Sequence, residues 1–145
     1  MTDAMTDAVV WTREQLTPGL RDKVTFTVTA ADMDAFAALS GDQNPLHTSD
    51  EFAQSRGFRG RVVYGALLTA KVSQLIGMRL PGRDSIWASV ALRFHEPLYL
   101  NEAATADAEV VSVSPSTGLV ELRLSVRSGE RLVAKGKAEV IVGHR

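Results

Sequence analysis

Residues 64–80 read YGALLTAKVSQLIGMRL, and the architecture follows from what this stretch must be. Leu68, Val72, Leu75 and Ile76 share one face at helical spacing, and Leu67 and Met78 widen that face beyond a stripe. Ala66, Ala70 and Gly77 are small enough to let a sheet approach closely. A helix apolar on most of its sides belongs in an interior. Pro81-Gly82 stops it.

Everything downstream of that helix alternates with period two. Ile86, Ala88, Val90, Leu92 and Phe94 interleave with Trp87, Ser89, Ala91 and Arg93. Three further runs follow: Ala104 to Val110 with Thr105, Asp107 and Glu109 between; Val120 to Val126 with Glu121, Arg123 and Ser125 between; Ala134 to Val140 with Lys135, Lys137 and Glu139 between. Residues 114–118 and Ser128-Gly129 supply the turns.

Upstream, Val24, Phe26 and Val28 alternate with threonines as a half-buried strand. From Ala30 the period becomes helical through Met33, Phe36 and Ala37, with Thr29 as candidate N-cap and Gly41 as the end. Residues 41–47 crowd Gly, Asp, Asn and Pro together and read as irregular. Thr48-Ser49-Asp50-Glu51 has the form of a capping box, so a short helix is expected to start just after His47. The order is one strand, helices, one long buried helix and four strands. An α+β domain satisfies it: one antiparallel sheet with an apolar face wrapped around the helix.

The totals exclude several classes. The chain has 145 residues, a formal net charge of −1 and no cysteine. That balance argues against a nucleic-acid scaffold while leaving room for local basic spots, and without cysteine the chain can form neither a disulfide nor a thiolate metal site. No apolar run reaches the roughly 20 residues of a membrane span. The N-terminus is acidic, unlike a signal peptide, so a cytoplasmic protein is expected. Residues 1–20 show no sustained period and read as a loosely held lead-in to a domain over residues 21–145. The repeat Met1-Thr2-Asp3-Ala4, Met5-Thr6-Asp7-Ala8 is read as an alternative start or a cloning scar, without a role in the fold.

The chemistry concentrates in Ser40-Gly41-Asp42-Gln43-Asn44-Pro45-Leu46-His47, which puts a carboxylate, an amide and an imidazole within one turn. One reading is that Asp42 and Asn44 satisfy the turn's own backbone. The other is that a carboxylate five residues before an imidazole, with a rigid proline between, aims both at one water.

The element Ser-Gly-Asp-x-Asn-Pro-x-His, with a Gly opening an apolar helix and with Arg93-Phe94-His95-Glu96-Pro97 downstream, resembles the MaoC-like, R-specific enoyl-CoA hydratases (hydratase 2). The resemblance covers residues 24–145 and implies a hot-dog fold, a homodimer joined sheet edge to sheet edge, and a 2-enoyl or 3-hydroxyacyl thioester as substrate. It implies no metal or redox cofactor; coenzyme A or phosphopantetheine arrives as part of the substrate, and an acyl carrier protein is a possible partner. By this resemblance Asp42 and His47 are the catalytic pair that activates water and handles the proton at C2, and Asn44 orients them. Charge growing on the thioester oxygen needs a donor. That role falls to the backbone N–H of Gly65, at the helix N-terminus, where free donors and the helix dipole coincide. The family usually has His-Gly-Met where this chain has Tyr64-Gly65-Ala66. Tyr64 either offers its hydroxyl to the ligand or packs and narrows the pocket.

Arg56, Arg59 and Arg61 form a basic cluster that reads either as a solvated loop or as a dock for the phosphates of the thioester carrier. His95 reads as a rim residue, His144 as solvated and Ser40 as turn structure. Histidine and carboxylate spacings make no metal site. Two rival readings remain: a thioesterase on the same fold, and a non-catalytic subunit that binds acyl thioesters.

Overall fold

The computed structural model describes residues 7–143; residues 1–6 and 144–145, with most of the N-terminal repeat and His144, lie outside them. The alternating runs become β1 (Arg21–Thr27), β2 (Ser85–Phe94), β3 (Ala103–Val113), β4 (Leu119–Ser128) and β5 (Arg131–Val142). They form one sheet in the order β1-β3-β4-β5-β2, with every neighbouring pair antiparallel. Between β1 and β2 lie α1 (Ala30–Ser40), α2 (Pro45–Thr48), α3 (Asp50–Ser55) and α4 (Gly65–Met78).

The sheet's apolar face closes on α4. Ala106, Ala108, Val110, Leu122, Leu124, Val126, Ala138 and Val140 are buried against Leu67, Leu68, Val72, Leu75 and Ile76 in one cluster. Each fully buried Leu or Ile stabilises the fold by about 1.5–3 kcal/mol. The opposite side of α4 is different from the closed interior expected. Ala66, Ala70, Ser73 and Gln74 are exposed, because five strands cover a helix from one side only.

The two ends of the sheet also differ. β2 is an edge strand without a fully buried residue, and Ile86, Val90 and Phe94 stay 40%, 41% and 52% exposed. The apolar alternation of this run is therefore largely uncovered.

Two local expectations need correction. Residues 45–47, read as irregular, join Thr48 in the single turn α2 (Pro45–Thr48), with Pro45 at its first position and Asn44 capping the Leu46 N–H at 3.0 Å. The next helix is capped by Ser49, which accepts from the Phe52 N–H at 3.1 Å, so the Thr48 capping box does not form. The lead-in is not loosely held over its described residues. Ala8, Val9 and Leu16 are buried. The Val9 N–H donates to the Met78 carbonyl at 2.9 Å, and Trp11 Nε1 donates to the Arg79 carbonyl at 2.7 Å. This segment shows no period because its first part crosses the end of α4 while Gly19 and Leu20 pair with Val110 of β3.

Candidate active site

Three sequence signals build the loop before α2. Thr29 caps α1 in a reciprocal box with Asp32, and Gly41, at φ 76°, ends it in the left-handed conformation that glycine adopts without strain. The chain then turns through Asp42. Asp42 Oδ1 accepts from the Asn44 N–H at 3.1 Å, and Ser40 Oγ accepts from the Asp42 N–H at 3.1 Å. The turn-forming reading of Asp42 and Asn44 is thus correct as far as it goes. It occupies one oxygen of each side chain.

His47 sits in the turn of α2 and is partly buried. Its Nδ1 lies 2.6 Å from the Val62 carbonyl, which can only accept, so Nδ1 carries a proton. In the neutral ring the lone pair is then on Nε2, the nitrogen left for proton transfer. The imidazole stacks on Tyr64 with centroids 4.0 Å apart at 28°. Arg61 Nε donates to the His47 carbonyl at 2.8 Å and the Val62 N–H to the Leu46 carbonyl at 3.1 Å, which ties this end of the loop to the strand-like segment before α4.

His47 and Gly65 line one cavity of about 270 Å³. Its buried walls are Val63, Leu68 and Leu98, while Phe94, His95 and Glu96 are exposed at its margin. Gly65 is the first residue of α4, so its N–H has no carbonyl four residues back to bind. The absence of a side chain there lets Phe94 approach closely: a Cβ on Gly65 would lie 2.9 Å from Phe94 Cζ, and the ring would have to shift. Asp42 and Asn44 are not among the cavity walls; both are exposed on the adjoining turn. Asp42 connects to the walls through Tyr64, whose Oη donates to the Asp42 carbonyl at 2.6 Å.

That bond answers the alternatives for Tyr64. The residue is 1% exposed, packs on Phe36 and His47, and has its hydroxyl engaged by the chain itself. The packing alternative is the one observed, with the hydroxyl bonded within the chain. Burial, then the neighbouring Asp42 charge, holds its phenol above the usual tyrosine range, so it remains a donor.

The arginines separate in space. Arg61 turns inward to the His47 carbonyl and to Asp34 Oδ1 at 3.4 Å, and its side chain is only 14% exposed, which withdraws it from a surface dock. Arg59 lies over the Tyr99 ring and pairs with Glu102, and Arg56 lies over Phe52. Both reach solvent. His95 is an exposed rim residue, as expected. Among the described residues no group of three or more His, Asp or Glu side chains could hold a metal ion. Sequence reasoning missed Phe58 and the Val62 carbonyl. A backbone acceptor has no residue-type signal, and Phe58 lies in a stretch without a period.

Comparison with known proteins bears on this arrangement. The MaoC like domain family matches residues 14–130. The chain is 34% identical over 128 residues to an (R)-specific enoyl-CoA hydratase from Aeromonas caviae, covering 88% of this chain and 96% of that one. It is 30% identical over 139 residues to an (R)-specific enoyl-CoA hydratase from Rhodospirillum rubrum, covering 96% of each. The solved structure of an (R)-hydratase from A. caviae involved in PHA biosynthesis superposes with a TM-score of 0.84 at 33% identity, over 88% of this chain and 97% of that one.

Proposed function

The chain belongs to the MaoC-like family of hydratases and dehydratases, with a hot-dog hydratase fold, and from that premise we propose that it interconverts a 2-enoyl thioester and a 3-hydroxyacyl thioester. The observation that carries this reading is the pairing, across one cavity, of a His47 whose Nδ1 is anchored on Val62 with the free N-terminus of α4 at Gly65.

In the hydration direction, Asp42 and His47 Nε2 hold one water. As its oxygen bonds to C3, the water releases a proton to the pair, and the C2–C3 π electrons shift toward the thioester oxygen. The Gly65 N–H and the α4 dipole stabilise that oxygen. The pair then returns the proton to C2, and the carbonyl re-forms. Asn44 keeps the turn in place through its cap on α2. Dehydration is the reverse. No redox step is needed. The R configuration follows from the names of the relatives, and coenzyme A or a phosphopantetheine carrier brings the acyl group.

We further propose a homodimer joined at β2. An edge strand carrying unpaired backbone groups and exposed Ile86, Val90 and Phe94 invites pairing with a second copy.

Incubation with crotonyl-CoA tests the activity. Loss of enoyl absorbance without thiol release supports hydration. Release of free thiol without loss of the double bond would replace the reading with a thioesterase, and neither change would leave an acyl-binding protein.

A further inference from the structure

The turn that carries Asp42 is held to the rest of the molecule unevenly. Its far end is pinned three times, by the Val62 N–H on the Leu46 carbonyl, by Arg61 Nε on the His47 carbonyl and by His47 Nδ1 on the Val62 carbonyl. At residues 41–44 the hydrogen bonds are local: Gly41 to Ala37, Asp42 to Ser40, Asn44 to Asp42, and Leu46 and His47 to Asn44. Among the described residues, the one long-range hydrogen bond reaching this end is from Tyr64 Oη to the Asp42 carbonyl, at 2.6 Å across 22 positions. The same ring stacks on His47 at 4.0 Å, and the same residue is the N-cap of α4, directly before Gly65.

We propose that Tyr64 is a positioning residue that joins the Asp42 turn, the His47 ring and the Gly65 N–H into one rigid unit. The inference rests on the hydratase reading, in which these three groups must act on one substrate. The alignment demanded is stringent, because a misplacement of about 1 Å can cost roughly 100-fold in rate. An exposed turn secured only by its own short-range bonds does not supply that precision. A buried ring, wedged between Phe36 and His47, does. The residue touches no cavity space and so acts through its neighbours. Its hydroxyl stays a donor because burial and the Asp42 charge oppose ionisation.

Tyr64→Phe isolates the tether, since it keeps the stack and removes one oxygen. We expect kcat for hydration to fall by roughly 10- to 100-fold with KM nearly unchanged. We also expect the amides of residues 42–47 to exchange with deuterium faster while those of α4 do not. Phe36→Leu is the control for packing, because it loosens the same corner and leaves the hydroxyl bond in place. A merely structural Tyr64 predicts that the two variants lose melting temperature and activity alike, and that result overturns the proposal. So does unchanged kcat in Tyr64→Phe, or a fall in kcat without faster exchange in the turn. A wild-type protein that hydrates no enoyl thioester would overturn the site reading first, before any variant is compared.

Discussion

Replacing Gly65 by proline removes a single backbone donor, and the structure shows that α4 can accept the change. Gly65 occupies the first helical position, where proline is favoured and where no intrahelical bond from that N–H exists to lose. Tyr64 before it has ψ 132°, within the range a residue preceding proline adopts, and its φ of −55° lies on the polyproline II side of that region. Gly65 is also outside the positive-φ glycines. The obstacle is steric, since any Cβ at this position meets Phe94 Cζ at 2.9 Å. Phe94 is 52% exposed, so its ring can swing away. An off-rotamer displacement costs about 0.5–1.5 kcal/mol, which is at most roughly tenfold in rate. Gly65→Ala introduces the same Cβ and keeps the N–H, so it matches the Phe94 contact while sparing the donor. Loss of an oxyanion donor is larger, about 2.7–4 kcal/mol or 10²–10³ in turnover. The expected order is wild type, then Ala with a modest loss, then Pro lower by about 10² or more relative to Ala. Phe94→Leu combined with Gly65→Ala should recover most of the alanine loss. The assay is steady-state hydration of crotonyl-CoA on variants whose circular dichroism and melting match wild type. A folded proline variant that turns over as fast as the alanine variant would refute the assignment of the oxyanion donor to Gly65.

Four other outcomes are expected. Asp42→Asn and His47→Ala should each lower turnover by roughly 10²–10⁴, and the double variant should lose far less than the product; near-native turnover in either would remove that residue from the chemistry. Val90→Arg, which puts a charge in the middle of the β2 edge, should leave a monomer in light scattering where the wild type runs as the proposed dimer, and a variant that still dimerises would move the interface away from β2. Thr29→Ala should destabilise the fold by about 1 kcal/mol in denaturant melts through loss of the α1 cap. The Thr29 backbone N–H, then its hydroxyl, holds the Asp32 carboxyl below its usual value of 3.8. A depressed folded-state pKa stabilises above that value and is lost as pH falls through the lowered one. The contribution of Asp32, measured by Asp32→Asn, should therefore be full at neutral pH and vanish in strong acid; a constant difference across that range would refute the assignment.

Much of the fold was legible because it is written in short-range periodicity. Val120, Leu122, Leu124 and Val126 alternate in sequence, and all four are buried on one face. Thr29 and Gly41 bound α1 because capping is a local matter of a hydroxyl and of a left-handed turn. The turn from Ser40 to His47 was legible for the same reason. Local reasoning erred where two caps stood side by side: Thr48 and Ser49 are equally suited by type, and the register of α2, started by Pro45, decided for Ser49. It erred again at residues 8–20, whose placement depends on partner surfaces at the end of α4 and on β3.

The sequence by itself determined the five strands, the apolar helix and the loop holding Asp42, Asn44 and His47, because each is set by neighbours a few residues away. Only the tertiary structure decided what those groups can do. It placed β2 at an uncovered edge, set Phe94 against Gly65, and turned Arg61 inward to the His47 carbonyl. It also chose the tautomer of His47 through the Val62 carbonyl and gave the Tyr64 hydroxyl to Asp42. These contacts join positions 14 to 29 residues apart, and three of them end on backbone carbonyls. Every residue carries a carbonyl, so its type says nothing of which one will be used. Packing of the chain is what selects it.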